Sequence, residues 1–505
     1  MKKYSIILFI VLLISTICAK AQEGEKSEKL YRPQIHFTPA KGWMNDPNGL
    51  IFINGVYHIF YQHNPNESVW GPMHWGHATS KDLIHWNHKP IAIYPDSIGT
   101  IFSGSAVYDK NNSSGLGKNG KGPLVAIYTQ HNMEGEKAGK IDYQNQSISY
   151  SNDEGKTWTS FGHNPVIKNP GIRDFRDPKV IWYAPSQKWV MALAAQNKLF
   201  FYTSTNLLNW TKASEFGESI GAHGGVWECP DLFALTYEGK EYWVLIVNLN
   251  PGGPNKGSAT QYFIGEFDGI SFKANSTKIK WIDYGPDEYA GVSFSNVNNR
   301  RVFMGWMSNW LYGGVVPTIN WRSALTLPRT LGLEKVGNEM YLSSSFVNEL
   351  KLASKKTASL SDINNLQFPC RLSLPAVAEK YFSIEFSNEI GDVLVIGYSA
   401  KNKQYFIDRT KAGVADFNKD FASYNTAPKI SNNKNISFDL VLDKASAELL
   451  ADNGLTVMTS IFFPRSAYTK FKVISNDKQL AKKINYSRSE EHTSELQSHH
   501  DLVCR

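Results

Sequence analysis

A short turn recurs along the first half of the chain and constrains its fold more than any single strand does. Ser80-Lys81-Asp82-Leu83-Ile84-His85-Trp86 is echoed by Ser151-Asn152-Asp153-Glu154-Gly155-Lys156-Thr157-Trp158 and by Ser204-Thr205-Asn206-Leu207-Leu208-Asn209-Trp210. A fainter copy is Phe267-Asp268-Gly269-Ile270-Ser271-Phe272. In each, an apolar run ends in a polar turn and an aromatic residue opens the next run. Around the turns lie short Val/Ile/Tyr/Phe/Trp runs bounded by Gly, Asn, Asp or Pro, such as Leu50–Tyr61, Leu124–Thr129, Trp189–Ala194, Tyr242–Asn248 and Arg301–Trp306. These read as strands. A strand unit repeating every roughly 50–70 residues fits the blades of a β-propeller better than one sandwich.

The echo fades after about residue 335. Beyond it the pattern is strand, turn, strand: Tyr381–Phe386, Val393–Tyr398, Gln404–Asp408, Ser437–Leu442, Ala447–Leu450, Leu455–Phe463 and Lys470–Ser475. Asp452-Asn453-Gly454 is a hairpin turn, because Asn-Gly readily adopts the positive φ such turns require. This half reads as a β-sandwich, with a linker around 335–350 and units expected at 22–340 and 341–487. The one internal stretch with a helical stripe is Ser344–Leu352.

With 505 residues, the chain is long enough for more than one core. Its 53 Lys+Arg against 46 Asp+Glu leave a net charge of +7 with no dense basic run, which argues against nucleic acid as a partner. Lys2-Lys3, an apolar run from Tyr4 to Cys18 and Ala19-Lys20-Ala21 have the parts of a secretory signal peptide cleaved after Ala21. The run is too short to span a bilayer, so the mature protein is expected to be exported, periplasmic or extracellular, with no membrane span. The four cysteines, at 18, 229, 370 and 504, suggest no disulfide framework and no metal site. Residues 488–505 depart abruptly from the preceding pattern, read as a non-native or disordered tail, and resemble translated sequencing adapter.

Three turns carry carboxylates at strand edges: Trp43-Met44-Asn45-Asp46-Pro47-Asn48-Gly49, Arg173-Asp174-Phe175-Arg176-Asp177-Pro178 and Trp227-Glu228-Cys229-Pro230-Asp231. Alone, each is an ordinary acidic turn. Together they place Asp46, Asp177 and Glu228 in different repeat units, where strands starting near a central channel can aim them at one point. Paired carboxylates facing a glycosidic bond are what glycoside hydrolysis needs. Trp43, Trp70, Trp75, Phe102, Trp227 and Trp310 could supply flat walls for sugar rings.

In order along the chain, WMNDPNG at 43–49, QHNP at 62–65, FSGS at 102–105, FRDP at 175–178, WECPD at 227–231 and WRSALTLPR at 321–329 closely resemble glycoside hydrolase family 32. The family comprises invertases, inulinases, levanases and fructan exohydrolases, and the resemblance spans about 30–487. It implies an all-β chain, a five-bladed β-propeller followed by a C-terminal β-sandwich. It also implies retaining hydrolysis of β-D-fructofuranosyl bonds in fructan or sucrose, with no metal and no organic cofactor. Asp46 would be the nucleophile, Glu228 the general acid/base and Asp177 the transition-state stabiliser, with Arg176 beside it. Asn45, Gln62, Trp70, Phe102, Ser103 and Asp283 would line the fructose pocket, and Trp310 the neighbouring sugar.

A retaining pair sits about 5–5.5 Å apart, and the chemistry asks for one near-neutral and one low carboxyl pKa. Exo action is the leading expectation. An endo-levanase or endo-inulinase shares all three carboxylates, and a fructosyltransferase would pass the same fructosyl group to a sugar. The alternative from another class is a non-catalytic carbohydrate-binding protein on the same fold.

Overall fold

The computed structural model describes residues 22–350 and 358–488, which form seven β-sheets and a few short helices. The signal-peptide reading and the tail reading beyond Arg488 lie outside the described residues; Arg488 itself pairs with Cys370. Five sheets follow one another along the first two thirds of the chain. Sheet I comprises Gly42–Ile53, Val56–Asn64, His74–Ser80 and Asn87–Ile93; sheet II, Thr100–Tyr108, Leu124–His131, Gln144–Ser151 and Thr159–Ser160. Sheet III comprises Phe175–Tyr183, Lys188–Ala195, Lys198–Ser204 and Thr211–Phe216; sheet IV, Val226–Tyr237, Lys240–Asn250, Ala259–Phe267 and Phe272–Ala274. Sheet V comprises Tyr289–Ser293, Arg301–Trp306, Arg329–Val336 and Glu339–Phe346.

Neighbouring strands within each sheet are antiparallel, so each sheet is a meander, and the first strands touch one another in the order I–II–III–IV–V–I. Two parallel contacts tie the ends of the series. Gly42 and Trp43 pair with Trp321 and Arg322, and Ile51 bridges to Ser295 just past the first strand of sheet V.

The repeated turn occupies an equivalent place in four sheets, between third and fourth strands. Asp82 Oδ1 accepts from the backbone N–H groups of Ile84 and His85 at 3.0 and 2.8 Å, while Trp86 Nε1 donates to Leu83 O at 3.0 Å. In sheet III, Asn206 Oδ1 receives Leu208 and Asn209, and Trp210 donates to Leu207 O at 2.9 Å. Trp158 reaches Gly155 O, and Asp268 receives Ile270 and Ser271. The polar side chain thus satisfies turn N–H groups that leave the ladder, and the tryptophan closes the turn onto a carbonyl. Each turn needs a left-handed residue, supplied by Leu83, Gly155, Leu207 and Gly269. For Leu83 and Leu207, complete burial compensates for the unfavourable φ.

Sheets VI and VII pack face to face. Sheet VI runs Ala358–Ser359, Asn485–Arg488, Cys370–Val377, Ile436–Asp443, Ser446–Ala451, Thr456–Ile461; sheet VII runs Tyr424–Pro428, Gln404–Lys411, Val393–Ser399, Tyr381–Ser387, Lys470–Ser475. A core including Leu372, Phe382, Ile384, Ile396, Leu440 and Leu449 lies between them. Asp452, Asn453 and Gly454 all take positive φ in the hairpin joining two strands of sheet VI.

Two expectations need correction. The boundary at 340/341 falls inside the strand Glu339–Phe346, which pairs along its whole length with Arg329–Val336 in sheet V. The helical stripe at Ser344–Leu352 is the end of that strand followed by a turn through 347–350, its residues 351 and 352 lying outside the described range. An apolar pattern that short suits either structure, and strand pairing decides it.

A buried charged seam joins sheets I–V to sheet VI. His36 sits between Asp443 and Glu448 at 2.9 Å from each. Arg329 contacts Asp283 at 2.9 Å and also pairs with Glu448, while Arg409 reaches Asp287 at 2.6 Å and Tyr312 at 2.8 Å. The helix at 22–31 lies over one edge of this seam, with Tyr31 packed edge-on against Phe463.

Candidate active site

Each of the five first strands carries a ladder irregularity near its start: Met44/Pro47, Ile101/Gly104, opposite Ala192/Ala194 at Arg176–Lys179, Glu228/Asp231, and Tyr289/Val292. A bulge re-aims a side chain and frees a backbone position from pairing. Pro178 and Pro230 occupy such positions, where a missing N–H costs no ladder bond, and Pro47 closes the bulge after Asp46. Asp177, Cys229 and Ala290 take positive φ there. Asp46, Ser103, Asp177, Glu228 and Tyr289, one from each sheet, are brought into one cluster.

The contacts within the cluster are specific. Asp46 accepts from Ser103 Oγ at 2.7 Å and Asn45 Nδ2 at 2.9 Å, and Asn45 is itself held by Trp43 Nε1 at 2.8 Å. Asp177 accepts from Cys229 N at 3.0 Å, and its own N–H donates to Thr129 Oγ1 at 2.9 Å. The Cys229 thiol lies between the two aspartates, 3.4 Å from Asp46 and 3.6 Å from Asp177. Glu228 receives Arg176 Nε and Nη2 at 3.1 and 2.9 Å on one oxygen and the Tyr289 hydroxyl on the other. Arg176 is oriented in turn by Asp174 at 2.6 Å.

Ten of the eleven residues that the family resemblance assigns to the site line a single cavity of about 320 Å³: Asn45, Asp46, Gln62, Trp70, Phe102, Ser103, Arg176, Asp177, Glu228 and Trp310. Of the other aromatic walls considered, Trp43, Trp75 and Trp227 are fully buried and do not reach it. Gln62 donates to Asn48 at 2.8 Å, Trp70 meets Phe102 edge-on, and Trp310 stacks on Trp43. Asp283 is the exception. It is fully buried in the seam, where both oxygens are used by Arg329, Thr459 and Gly285 N, so it cannot meet a ligand in the cavity.

Five further residues line the cavity: His131, Glu136, Tyr143, Gln144 and Asp174. His131 stacks on Phe102 at 4.2 Å and bonds Glu136 at 3.0 Å, and Gln144 O accepts from the N–H of Phe175 through its side chain at 2.8 Å. Asp174 belongs to a turn already conspicuous in the sequence. The others, like Tyr289, lie in ordinary strand or loop pattern with no local signal.

The electrostatics depart from the expected split between one low and one near-neutral carboxyl. Burial and the charge of Glu228 push Asp46 above the usual carboxylate range, against hydrogen bonds from Ser103 and Asn45. Burial raises Asp177 to about 7, with Arg176 opposing and the other two carboxylates reinforcing. Arg176 is held well above its ordinary value by Glu228, Asp177 and Asp174 despite burial. Burial, then Glu228, raises the Tyr289 phenol. Three carboxylates facing one guanidinium make the cavity attractive to developing positive charge, and Asp177 can hold a proton near neutral pH.

The model of the glycosyl hydrolases family 32 N-terminal domain matches residues 36–344, and that of the family's C-terminal domain matches 340–488. The chain belongs to glycoside hydrolase family 32. This family 32 chain is 44% identical to a levanase of Bacillus subtilis over 484 residues, covering 91% of this chain and 70% of that one. Among solved structures it is similar to an exo-inulinase from Aspergillus awamori, with TM-score 0.81 and 36% identity over 91% of this chain and 98% of that one. It is also similar to a fructofuranosidase from Schwanniomyces occidentalis complexed with fructosylnystose, with TM-score 0.80 and 30% identity over 92% and 98% of the two chains.

Proposed function

We propose that this family 32 protein is a β-fructofuranosidase that removes terminal fructosyl units from fructans, and from sucrose, with retention of configuration. The observation that carries this reading is the convergence of one side chain from each of five bulged strands, three of them carboxylates, on a cavity of monosaccharide scale. Levanase, exo-inulinase and fructofuranosidase relatives over nearly the whole chain support it.

In this reading Asp46 attacks the anomeric carbon while Glu228 passes a proton to the departing oxygen. The C–O bond breaks and a fructosyl ester forms on Asp46. Glu228 then takes a proton from water, whose oxygen displaces Asp46. The charge of Glu228 is one of the causes that raise Asp46, so protonating Glu228 favours the ionised nucleophile. Asp177, with Arg176 beside it, holds sugar hydroxyls and stabilises the cationic transition state. Asn45, Gln62 and Ser103 orient the ring, and Trp70, Phe102 and Trp310 wall it. Asp283 takes no part.

The five sheets read as blades of a β-propeller over 22–346 and sheets VI and VII as a β-sandwich over 358–488. The ring order of the first strands and the ties between sheets I and V support the first, and the shared core supports the second. Export with cleavage after Ala21 is in keeping with extracellular relatives such as the exo-inulinase of Aspergillus niger. The test is a product time course on levan, inulin and sucrose. Fructose alone at early times is expected. Early oligosaccharides would make the protein endo-acting, and no product from any substrate would make it a binding protein.

A further inference from the structure

The first strands open the catalytic cavity with their N-terminal ends, and a second cavity of about 310 Å³ lies at their other ends. Val107 and Tyr108, Ile181 and Trp182, Leu232 to Ala234, and Ser295 bring it residues from the far ends of the first strands of sheets II to IV and from just past that of sheet V. Trp182 stands five residues beyond Asp177, so the two cavities are roughly 16 Å apart along one strand. No step of the proposed reaction uses this second cavity.

Its lining is aromatic with a polar edge. Trp182 is 41% exposed, and Tyr108 and Trp243 are half-buried. Several polar groups here have hydrogen-bonding capacity to spare among the described residues. Arg301 spends only Nη1, on Phe294 O at 3.2 Å, and its buried Nε has no partner. Asn296 donates to Phe52 O at 2.7 Å, while its Oδ1 and the Ser295 and Tyr108 hydroxyls have no hydrogen-bond partner among the described residues. Lys179 is already neutralised by Asp231 at 3.0 Å and bonded to Ser293 O. Flat apolar faces beside unspent donors and acceptors, with Lys179 compensated by Asp231 and Arg301 keeping N–H groups to give to hydroxyls, match a polyhydroxylated ring rather than a lipid tail.

We infer that this cavity is a second carbohydrate site, which holds a fructosyl segment of polymeric substrate without cleaving it. The inference rests on the fructan reading above for the identity of the sugar. Held there, one part of a long chain raises the local concentration of its other ends at the catalytic mouth. A disaccharide gains nothing from it.

The test compares Trp182→Ala and Arg301→Gln with the parent on levan, inulin and sucrose, with melting curves confirming that each variant is folded. Removing one sugar-stacking face is expected to raise KM for the polymer about three- to ten-fold, with kcat and all sucrose constants unchanged. Affinity electrophoresis in levan- or inulin-containing gels is run on Asp46→Asn with and without Trp182→Ala. The added substitution is expected to abolish most of the remaining retardation. Equal polymer KM in parent and variants, with equal retardation, overturns the second site. Parallel losses on sucrose and polymer would assign Trp182 to the scaffold and also overturn it. If the parent cleaves none of the substrates but is retarded through Trp182, the proposed activity fails while the site stands.

Discussion

The candidate catalytic cluster and the charged seam are both built from carboxylates and arginine, yet they differ in balance. At the cavity, Asp46, Asp177 and Glu228 face one guanidinium, and burial leaves Asp46 and Asp177 raised. In the seam, His36 pairs with Asp443 and Glu448 and Arg329 also pairs with Glu448, and both carboxyls are depressed despite burial that alone would raise them, whereas burial keeps Asp287 raised beside its single partner Arg409. His36 moves the other way, up to about 9, because two hydrogen-bonded carboxylates outweigh its desolvation. Matched charge makes a joint; unmatched charge beside an open cavity makes a reactive site. The structure stores unfavourable electrostatics where a substrate can use them.

The sharpest way to break this contrast is to remove the reactive groups. Asp46→Asn or Glu228→Gln is expected to lose at least about 10³-fold in kcat with the fold retained. Steady-state fructose release beside a circular dichroism melt checks both halves, and near-full activity in either variant would undo the assignment.

The seam should respond in the opposite sense. Arg329→Met leaves Asp283 without a cation and Glu448 with His36 alone, and is expected to destabilise by about 3–5 kcal/mol, read by denaturant unfolding. Activity per folded molecule at low temperature should change little. Loss of kcat without loss of stability would make the seam part of the catalytic machinery.

Asp177→Asn separates the regions more finely. Because its folded pKa of about 7 lies above the unfolded value, the ionised carboxylate weakens the fold at neutral pH. The variant is expected to be more stable by roughly 1–2 kcal/mol at pH 7 while losing about 10²–10³-fold in kcat.

The smallest effect is the pH dependence of the seam. His36 contributes its full stabilisation below its unfolded value, about 6.5, and loses it as pH rises toward about 9. Asp443 and Glu448 contribute above the ordinary carboxylate range and lose it as pH falls through their depressed values. Stability from the seam is therefore greatest between about pH 4.5 and 6.5. A His36→Gln variant should show a flatter melting profile from pH 6.5 to 9 than the parent; identical profiles would remove His36 as the cause.

Much of this was legible along the chain. Strands, the recurring turn and the three carboxylate motifs are local: alternation, a polar side chain answering nearby N–H groups, and a proline after or near each carboxylate all act within a few residues. The hairpin at Asp452–Gly454 and the third-to-fourth strand turns are of this kind. The boundary expected at 340/341 lies within the strand Glu339–Phe346, whose place is set by its pairing with Arg329–Val336.

What the sequence determined by itself was therefore the all-β class, the repeating unit and the chemistry of the carboxylates, because these depend on neighbours in the chain. Tertiary structure alone decided that Tyr289 from sheet V meets Glu228 from sheet IV and that Asp283 serves the seam. It also decided that the far ends of the same strands enclose a second aromatic cavity. Those outcomes depend on which residues, far apart in sequence, share a desolvated space, and on how many charges share it. Neither can be counted along a single chain.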